Sequence, residues 1–196
     1  MGRWFSRINN NGRWLALAVL ASLTLQCLWS ENPIPSQGLD LRGSWLLHSG
    51  DNLAWAAKGP DLPGWEPVGL PTKQLMPAGS KGWFWLRRNL DLASIPQGAY
   101  SMVIGELMNA DQVWVNGEFV GSTGSPPPRL RSGWNQFRSY TIPEGTLQAG
   151  SNTVAIRVWH DSESWISGPL AILPEEQAGW QAMVNDILRI ELIKVM

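Results

Sequence analysis

Tryptophan is the residue type with the clearest potential for binding chemistry. The sequence has 13 Trp against 4 Phe and 2 Tyr. An indole ring offers a flat apolar face and one N–H donor, which suits the C–H face of a sugar ring. Asp, Asn and Arg add directional hydrogen bonds to hydroxyl groups. Together these properties predict a carbohydrate-binding site built from Trp134, Asn135, Arg138, Asp161 and Trp165, with Trp83 and Trp85 as further platforms.

Each of these tryptophans also has a structural interpretation. Trp134 and Trp165 lie in loops beside Ser and Gly, so ligand contact and local packing are equally open for them. Trp85 alternates with Arg87 along a predicted strand, where stacking and pairing across a sheet are the alternative to ligand contact. The tryptophans expected to pack in the core or under a loop are Trp45, Trp114 and Trp159.

The sequence does not indicate a set of catalytic residues. Glycoside hydrolysis needs two carboxylates about 5–9.5 Å apart across one bond, and no motif selects such a pair among the 16 acidic residues. A Ser-His-Asp hydrolase would have to use His48 or His160, and neither is near a Gly-x-Ser-x-Gly turn. We expect His160 to be a surface or loop residue.

No cofactor or metal is predicted. Cys27 is the only cysteine, so neither a disulfide nor a Cys-based metal cluster can form within the chain. Asn109 and Asp111 either hold a loop or bind Ca²⁺ through oxygen ligands, but no loop has the density of acidic residues that a calcium site requires.

Composition limits the class of protein. The chain has 196 residues and a formal net charge of -1, so there is no basic surface for a nucleic-acid partner. With 44% hydrophobic and 16% charged residues it is too apolar to be disordered. A (β/α)₈ barrel of about 250 residues does not fit this length.

The N-terminal residues predict export. Arg3, Arg7 and Arg13 precede an uncharged apolar segment at 14–30, the pattern of a signal peptide or membrane anchor at 1–30. Cys27 is either a lipidation site or part of the apolar segment. Residues 31–38 form a linker. We therefore expect a periplasmic or extracellular protein, either released or held at the membrane by this segment or by a lipid.

The sequence pattern of residues 39–174, the body of the chain, predicts an all-β fold. Apolar and polar residues alternate with period two in the runs at 83–92, 111–120 and 152–159. Asn116-Gly117 supplies the two residues that a tight hairpin turn needs. Further strands are expected at 43–48, 99–104, 138–142 and 170–173. Short strands at this spacing favour an antiparallel β-sandwich of the jelly-roll type.

Two segments differ from this pattern. Residues 175–196 predict an amphipathic helix, with Trp180, Met183, Val184 and Ile187 on its apolar side. This helix either packs against the sandwich or contacts a membrane partner protein. The loop at 124–133 contains three consecutive prolines and two arginines, so it is expected to be stiff and locally basic. It forms either one wall of a binding cleft or a rigid crossover.

Several segments resemble a known family in the order in which they occur. One of them is Asn109-Ala-Asp-Gln-Val-Trp-Val-Asn-Gly117. Together they are similar to the galactose-binding-like jelly roll of family 2 glycoside hydrolases such as β-galactosidase. They are also similar to domains of sialate O-acetylesterases and to outer sensor modules of bacterial membrane signalling proteins. The segments are 41–45, 65–71, 82–88, 109–117, 120–124, 138–143 and 150–158.

The resemblance implies recognition of a sugar. In the family, the catalytic carboxylates sit on a separate barrel, for which this sequence has no room. Asp161 aligns with an Asp that reaches the substrate sugar, and 165–168 aligns with the turn that follows it. In the hydrolases the barrel also contacts that sugar, so the resemblance implies that Asp161 supplies only part of a binding site.

Three hypotheses follow. The first is a non-catalytic, extracytoplasmic carbohydrate-binding or ligand-sensing module. The second is an interaction or structural module of a membrane signalling assembly, in which the C-terminal helix contacts a membrane partner. The third is an accessory sugar-binding subunit of a glycoside hydrolase.

Overall fold

The computed structural model describes residues 38–59, 63–94, 98–134, 136–161 and 164–195, with the side chains of the last helix described as far as Ile187. The predicted signal or anchor segment and almost all of the linker lie outside these residues. The strands are β1 (Leu39–Asp40), β2 (Gly43–Ser49), β3 (Glu66–Leu70), β4 (Lys81–Leu92), β5 (Tyr100–Leu107), β6 (Ala110–Val115), β7 (Glu118–Thr123), β8 (Phe137–Ile142), β9 (Gly150–Asp161) and β10 (Ile166–Pro174).

The strands form two antiparallel sheets. One has four strands in the order β1-β10-β5-β8, and the other has six in the order β3-β2-β4-β9-β6-β7. The long strands β4 and β9 pair along their whole length, from Lys81 opposite Asp161 to Leu92 opposite Gly150. The predicted antiparallel β-sandwich is therefore confirmed for the described residues.

Period-two alternation builds the core between the sheets. Phe84 and Leu86 of β4 and Ile156 of β9 contribute from the six-stranded sheet, and Met102 and Ile172 contribute from the four-stranded sheet. All five side chains have no exposed surface. Burial of apolar area of this kind is the main favourable contribution to the stability of the fold.

The hairpin between β6 and β7 turns at the predicted dipeptide. Asn116 has φ 52° and Gly117 has φ 83°, which is the left-handed backbone that a type I′ turn requires. The Asn116 amide donates to Asn152 Oδ1 at 2.8 Å, and its Oδ1 accepts from the backbone N–H of Thr153 at 2.8 Å. The turn is thereby tied to the neighbouring strand β9.

A helix follows β10 directly. It is α1 (Glu175–Val195), and two glutamates in its first turn suit the positive end of the helix dipole. Ala178, 1% exposed, packs on Val103, Ala171 and Leu173 of the four-stranded sheet. No helix within the described residues combines the length and the apolar character needed to cross a membrane.

The side of α1 that meets the sheet differs from the predicted side. The predicted apolar side, expected either to pack on the sandwich or to contact a partner, includes Trp180, Met183 and Ile187, and these are 64%, 45% and 51% exposed. The small side chain of Ala178 lets the helix backbone approach the sheet closely, so the helix rests on that side. The larger apolar side chains consequently face solvent.

The expectation for His160 is wrong. The residue lies in β9, is 1% exposed and packs edge-on against Phe84, with ring centroids 5.4 Å apart. It shares the inward side of β9 with Val158 because the strand continues two residues beyond the predicted end. Burial lowers the pKa of His160, and the neighbouring charge of Asp161 opposes this shift only in part.

Candidate functional site

Trp134 and Trp165 flank the turn that joins β5 to β6. The Trp165 carbonyl accepts from the backbone N–H of Met108 at 3.2 Å, and Gly133, next to Trp134, donates its N–H to the Asn109 carbonyl at 2.8 Å. Trp134 is 53% exposed, and Trp165 is half-buried. These two predicted residues therefore lie at one end of the sandwich.

Asp161 occupies the same end, as the last residue of β9. Its carboxylate accepts from Lys81 Nζ at 3.0 Å, and both side chains are more than one-third exposed. An exposed pair of this kind contributes little to stability and opens easily to another partner. Asn135, the remaining polar loop residue of the predicted set, lies outside the described residues.

Arg138 is placed in the interior instead of at the surface. Its Nε lies 2.6 Å from Asp111 Oδ1, and neither side chain has any exposed area. The other Asp111 oxygen accepts from Tyr140 Oη at 2.5 Å. Both carboxylate oxygens are thus engaged within the protein. Arg138 has no surface with which to contact a ligand, because β8 turns it toward the opposite sheet.

The two tryptophans of β4 that were predicted as platforms are largely covered. Trp85 has no exposed surface and stacks on Trp114 at 5.1 Å. Trp83 is half-buried, and the Arg157 guanidinium lies 3.6 Å from the centre of its ring. Ligand stacking on Trp85 is therefore excluded in this structure. Trp85 therefore has the structural role, packing within the protein, because the short 3₁₀ helix Leu53–Ala56 covers this part of the sheet.

A polar pocket lies at the edge of the sandwich beside β7. Its volume is about 270 Å³. One wall is the end of β7, and the other is the proline-containing loop that follows it. The lining residues are Ser122, Thr123, Gly124, Ser125, Arg131, Ser132 and Gln136. The geometry fits the predicted role of this loop as one wall of a binding cleft.

The loop is held in a defined shape. Ser125 and Arg131 exchange backbone hydrogen bonds of 2.9 and 3.0 Å, so the prolines between them lie in a closed turn and not in an extended polyproline segment. Gly124 has φ 75°, and a Cβ there would lie 2.6 Å from the Arg131 carbonyl oxygen. A Cβ at Gly133 would lie 2.5 Å from Thr123 Cγ2. Both ends of the loop thus need glycine for close approach.

The buried ion pair controls the hydrogen bonding of the pocket. Tyr140 Oη lies 2.5 Å from Asp111 Oδ2 and 2.7 Å from Thr123 Oγ1. Burial and the nearby Asp111 carboxylate raise the pKa of Tyr140, so the phenol keeps its single proton and donates it to the carboxylate. Thr123 must then donate its own proton to Tyr140, so toward any further partner its hydroxyl oxygen can only accept.

Burial also acts on the carboxyl group at the centre of this network. It raises the pKa of Asp111, while the charge of Arg138 and the hydrogen bonds from Arg138 and Tyr140 oppose the shift. The network holds Thr123 in one orientation, because every partner is fixed on a strand.

The sequence did not single out most of the lining residues. Ser122, Thr123 and Gln136 carry no motif, and serines and threonines near a turn are common in any β protein. The usable signal was the loop at 124–133, with its prolines and arginines. The pocket itself depends on how this loop folds back on β7.

Comparisons with known proteins agree with this architecture. Residues 95–164, just over a third of the chain, match the family model of the β-galactosidase second all-β domain. No curated protein matches the sequence.

Solved structures share the fold at low identity. A Bacteroides uniformis β-glucuronidase matches with a TM-score of 0.51 and 19% identity over 70% of this chain and 18% of that one. A β-glucuronidase of an uncultured Clostridium matches with a TM-score of 0.50 and 14% identity over 73% of this chain and 30% of that one. This chain thus spans less than a third of either enzyme. It carries an all-β domain related to those of the family 2 glycoside hydrolases, as the sequence resemblance predicted.

Proposed function

We propose that the chain is a non-catalytic carbohydrate-binding domain that works outside the cytoplasm. The observation that carries this proposal is the polar pocket beside β7, together with the exposed Trp134 two residues from the lining residue Ser132. The Trp134 backbone N–H donates to Oγ of Ser132, a lining residue, at 3.3 Å. An aromatic face next to hydroxyl, amide and guanidinium groups is the combination that a sugar requires.

The size of the pocket favours a single sugar residue. Pockets for drug-sized ligands have volumes of about 300–1,000 Å³, and the 270 Å³ found here is just below that range. Ser122, Ser125 and Gln136 can donate or accept, and Thr123 accepts. The hydroxyl groups of one sugar ring, each both donor and acceptor, match such a mixed lining.

The other predicted ligand residues extend this proposal. Trp165 and Asp161 lie at the end of the sandwich that also holds the Asn109 turn, which anchors the pocket loop through Gly133. A longer saccharide would reach them from the pocket. The family resemblance favours the same role for Asp161, whose exposed pair with Lys81 is easily opened.

The non-catalytic character rests on the lining. Among the described lining residues there is no carboxylate, so neither a general acid nor a nucleophile of the glycosidase type faces this pocket. The location outside the cytoplasm rests on the arginines and the apolar segment of residues 1–30.

Direct binding tests the proposal. The full chain is screened against an array of mono- and oligosaccharides, and the best ligand is measured by calorimetry. We expect Trp134→Ala to weaken binding by about tenfold, which is the loss of one aromatic contact of about 1.4 kcal/mol. Trp180→Ala is the matched control, because Trp180 is also more than half exposed but lies on α1. Absence of binding to any saccharide, or equal losses in both variants, would contradict the proposal.

A second candidate function, an interaction module of a membrane assembly, is favoured by the outward stripe of α1. Trp180, Met183 and Ile187 follow one another at helical spacing and are all about half exposed or more. Such stripes often mark contact surfaces. Replacement of Trp180 and Ile187 by Ser tests this function. If it holds, the double variant is released from membrane fractions that retain the unsubstituted chain; retention of both would exclude it.

A further inference from the structure

We propose that the pocket beside β7 selects a saccharide that carries an anionic group, and that Arg131 is the residue that recognises this group. The inference rests on the proposed carbohydrate-binding function and adds the ligand class. It is argued from the charges around the pocket, from the position of Arg131 and from the orientation of Thr123.

The segment that forms the pocket is positively charged. Residues 119–143 contain Arg129, Arg131 and Arg138 and no Asp or Glu, whereas the whole chain has a net charge of -1. Arg138 is neutralised by Asp111 in the interior. Two exposed arginines therefore remain on the loop, and one of them, Arg131, is a lining residue of the pocket.

Two acidic side chains of β6 and β7, the strands beside the pocket, are engaged elsewhere. Glu118 Oε2 accepts from Thr146 Oγ1 at 2.6 Å, at the opposite end of β7. Both oxygens of Asp111 are bonded to Arg138 and Tyr140. None of the ion pairs found among the described residues includes Arg131. Its charge is accordingly available to a ligand.

The backbone at Arg131 is fixed before a ligand arrives. Its backbone N–H and carbonyl both bond to Ser125, and its carbonyl oxygen is packed against Gly124. A loop whose backbone is already held loses less entropy on binding than a mobile loop does. The planar guanidinium can also donate two parallel hydrogen bonds to a carboxylate or an ester sulfate.

A simple inorganic anion would not satisfy the remainder of the pocket. Thr123 donates to Tyr140, so toward the pocket it can only accept, and an anion without a hydroxyl group offers it nothing. Gln136 and Ser122 add a mixed set of donors and acceptors. The arrangement fits a ligand in which hydroxyl groups and one anionic group occur on the same ring.

Galactose and galacturonate provide a matched pair of probes, since they differ only in the group at C6. Calorimetry of the full chain measures both, together with inorganic sulfate, an anion without a hydroxyl group. We expect galacturonate to bind about 5- to 10-fold more tightly than galactose, the effect of one charge-assisted hydrogen bond at a partly exposed site. This preference is expected to shrink between about 50 and 500 mM NaCl because salt screens exposed charges.

Variants of the two loop arginines locate the effect. Arg131→Gln is expected to remove the preference for galacturonate over galactose, and Arg131→Lys to retain part of it. Arg129→Gln, in the same loop but outside the pocket lining, is expected to leave both affinities as they are.

The outcomes distinguish failure of the anionic-ligand inference from failure of the proposed carbohydrate-binding function. Equal affinity for galactose and galacturonate would overturn this inference and leave the proposed function standing. Sulfate binding as tight as galacturonate binding would also overturn it, because the pocket would then be a simple anion site. Failure of every saccharide, neutral or acidic, to bind would overturn the proposed function and this inference together.

Discussion

Arg138 Nε and Asp111 Oδ1 lie 2.6 Å apart between the two sheets, with both side chains fully buried. The pair joins β8 of the four-stranded sheet to β6 of the six-stranded sheet. Tyr140 extends it to Thr123, which lines the pocket. A buried charge pair of this kind is sensitive to the loss of either partner, since the remaining charge is left without compensation.

Removal of the Asp111 charge should therefore be costly. Asp111→Asn keeps the shape but leaves the Arg138 guanidinium uncompensated, and we expect the free energy of unfolding to fall by about 3–5 kcal/mol. Urea denaturation measures the change. Asp40→Asn is the control, because it breaks the exposed pair with Arg42 and should cost about 1 kcal/mol or less. Equal losses in the two variants would show that the buried pair has no special role.

Glycine at position 133 should be indispensable for the pocket loop. In Gly133→Ala the new Cβ would lie 2.5 Å from Thr123 Cγ2 and 3.1 Å from Arg138 Nη2, so we expect a loss of about 1–3 kcal/mol from overpacking. Gly179→Ala is the matched control. Gly179 lies within α1 with open space around it, and alanine there should stabilise the helix by about 0.5–1 kcal/mol. Thermal melting of both variants decides the point, and tolerance of alanine at 133 would contradict the packing described here.

His160 should make stability depend on pH. Its pKa is lowered in the folded chain by burial, so below the ordinary histidine pKa of about 6.5 the unfolded chain binds a proton that the folded chain does not. The free energy of unfolding should consequently fall as the pH drops from about 7.5 to about 5. Urea denaturation at the two pH values should show a smaller fall for His160→Gln. An identical fall in both proteins would assign the effect to other groups.

The tryptophans should separate into structural and ligand-facing residues. Trp85→Ala empties a fully buried position and should cost about 3–5 kcal/mol of stability. Trp134→Ala removes an exposed ring and should change stability by about 0.5 kcal/mol or less, while it weakens saccharide binding. Chemical denaturation and calorimetry of the same two variants make the comparison. A large stability loss at Trp134 would mean that its ring is part of the fold.

Local pattern predicted the strands well because alternation is a local property. The run at 83–92 falls within β4, and Asn116-Gly117 turns between β6 and β7. β3 was missed, since its five residues include both Pro67 and Gly69 and show no clear alternation. The resemblance to a family 2 domain was also visible in the sequence, because it is carried by short ordered segments.

Long-range packing was not predictable from the same patterns. Asp111 and Arg138 are 27 residues apart, and only the stacking of two sheets brings them together. Trp85 is covered by the short 3₁₀ helix at Leu53–Ala56, and this helix is too short to be predicted from sequence periodicity. The pocket likewise arises from a loop that closes through backbone bonds between Ser125 and Arg131.

The central claim is that the pocket beside β7 holds a sugar. Amide chemical shifts of the isotope-labelled full chain, followed during titration with galacturonate, test it most directly. We predict saturating shifts at Ser122, Thr123, Ser125, Arg131 and Gln136, with little change at Trp180 on the exposed side of α1. Shifts that saturate elsewhere on the sandwich and leave these five residues unmoved would contradict the account.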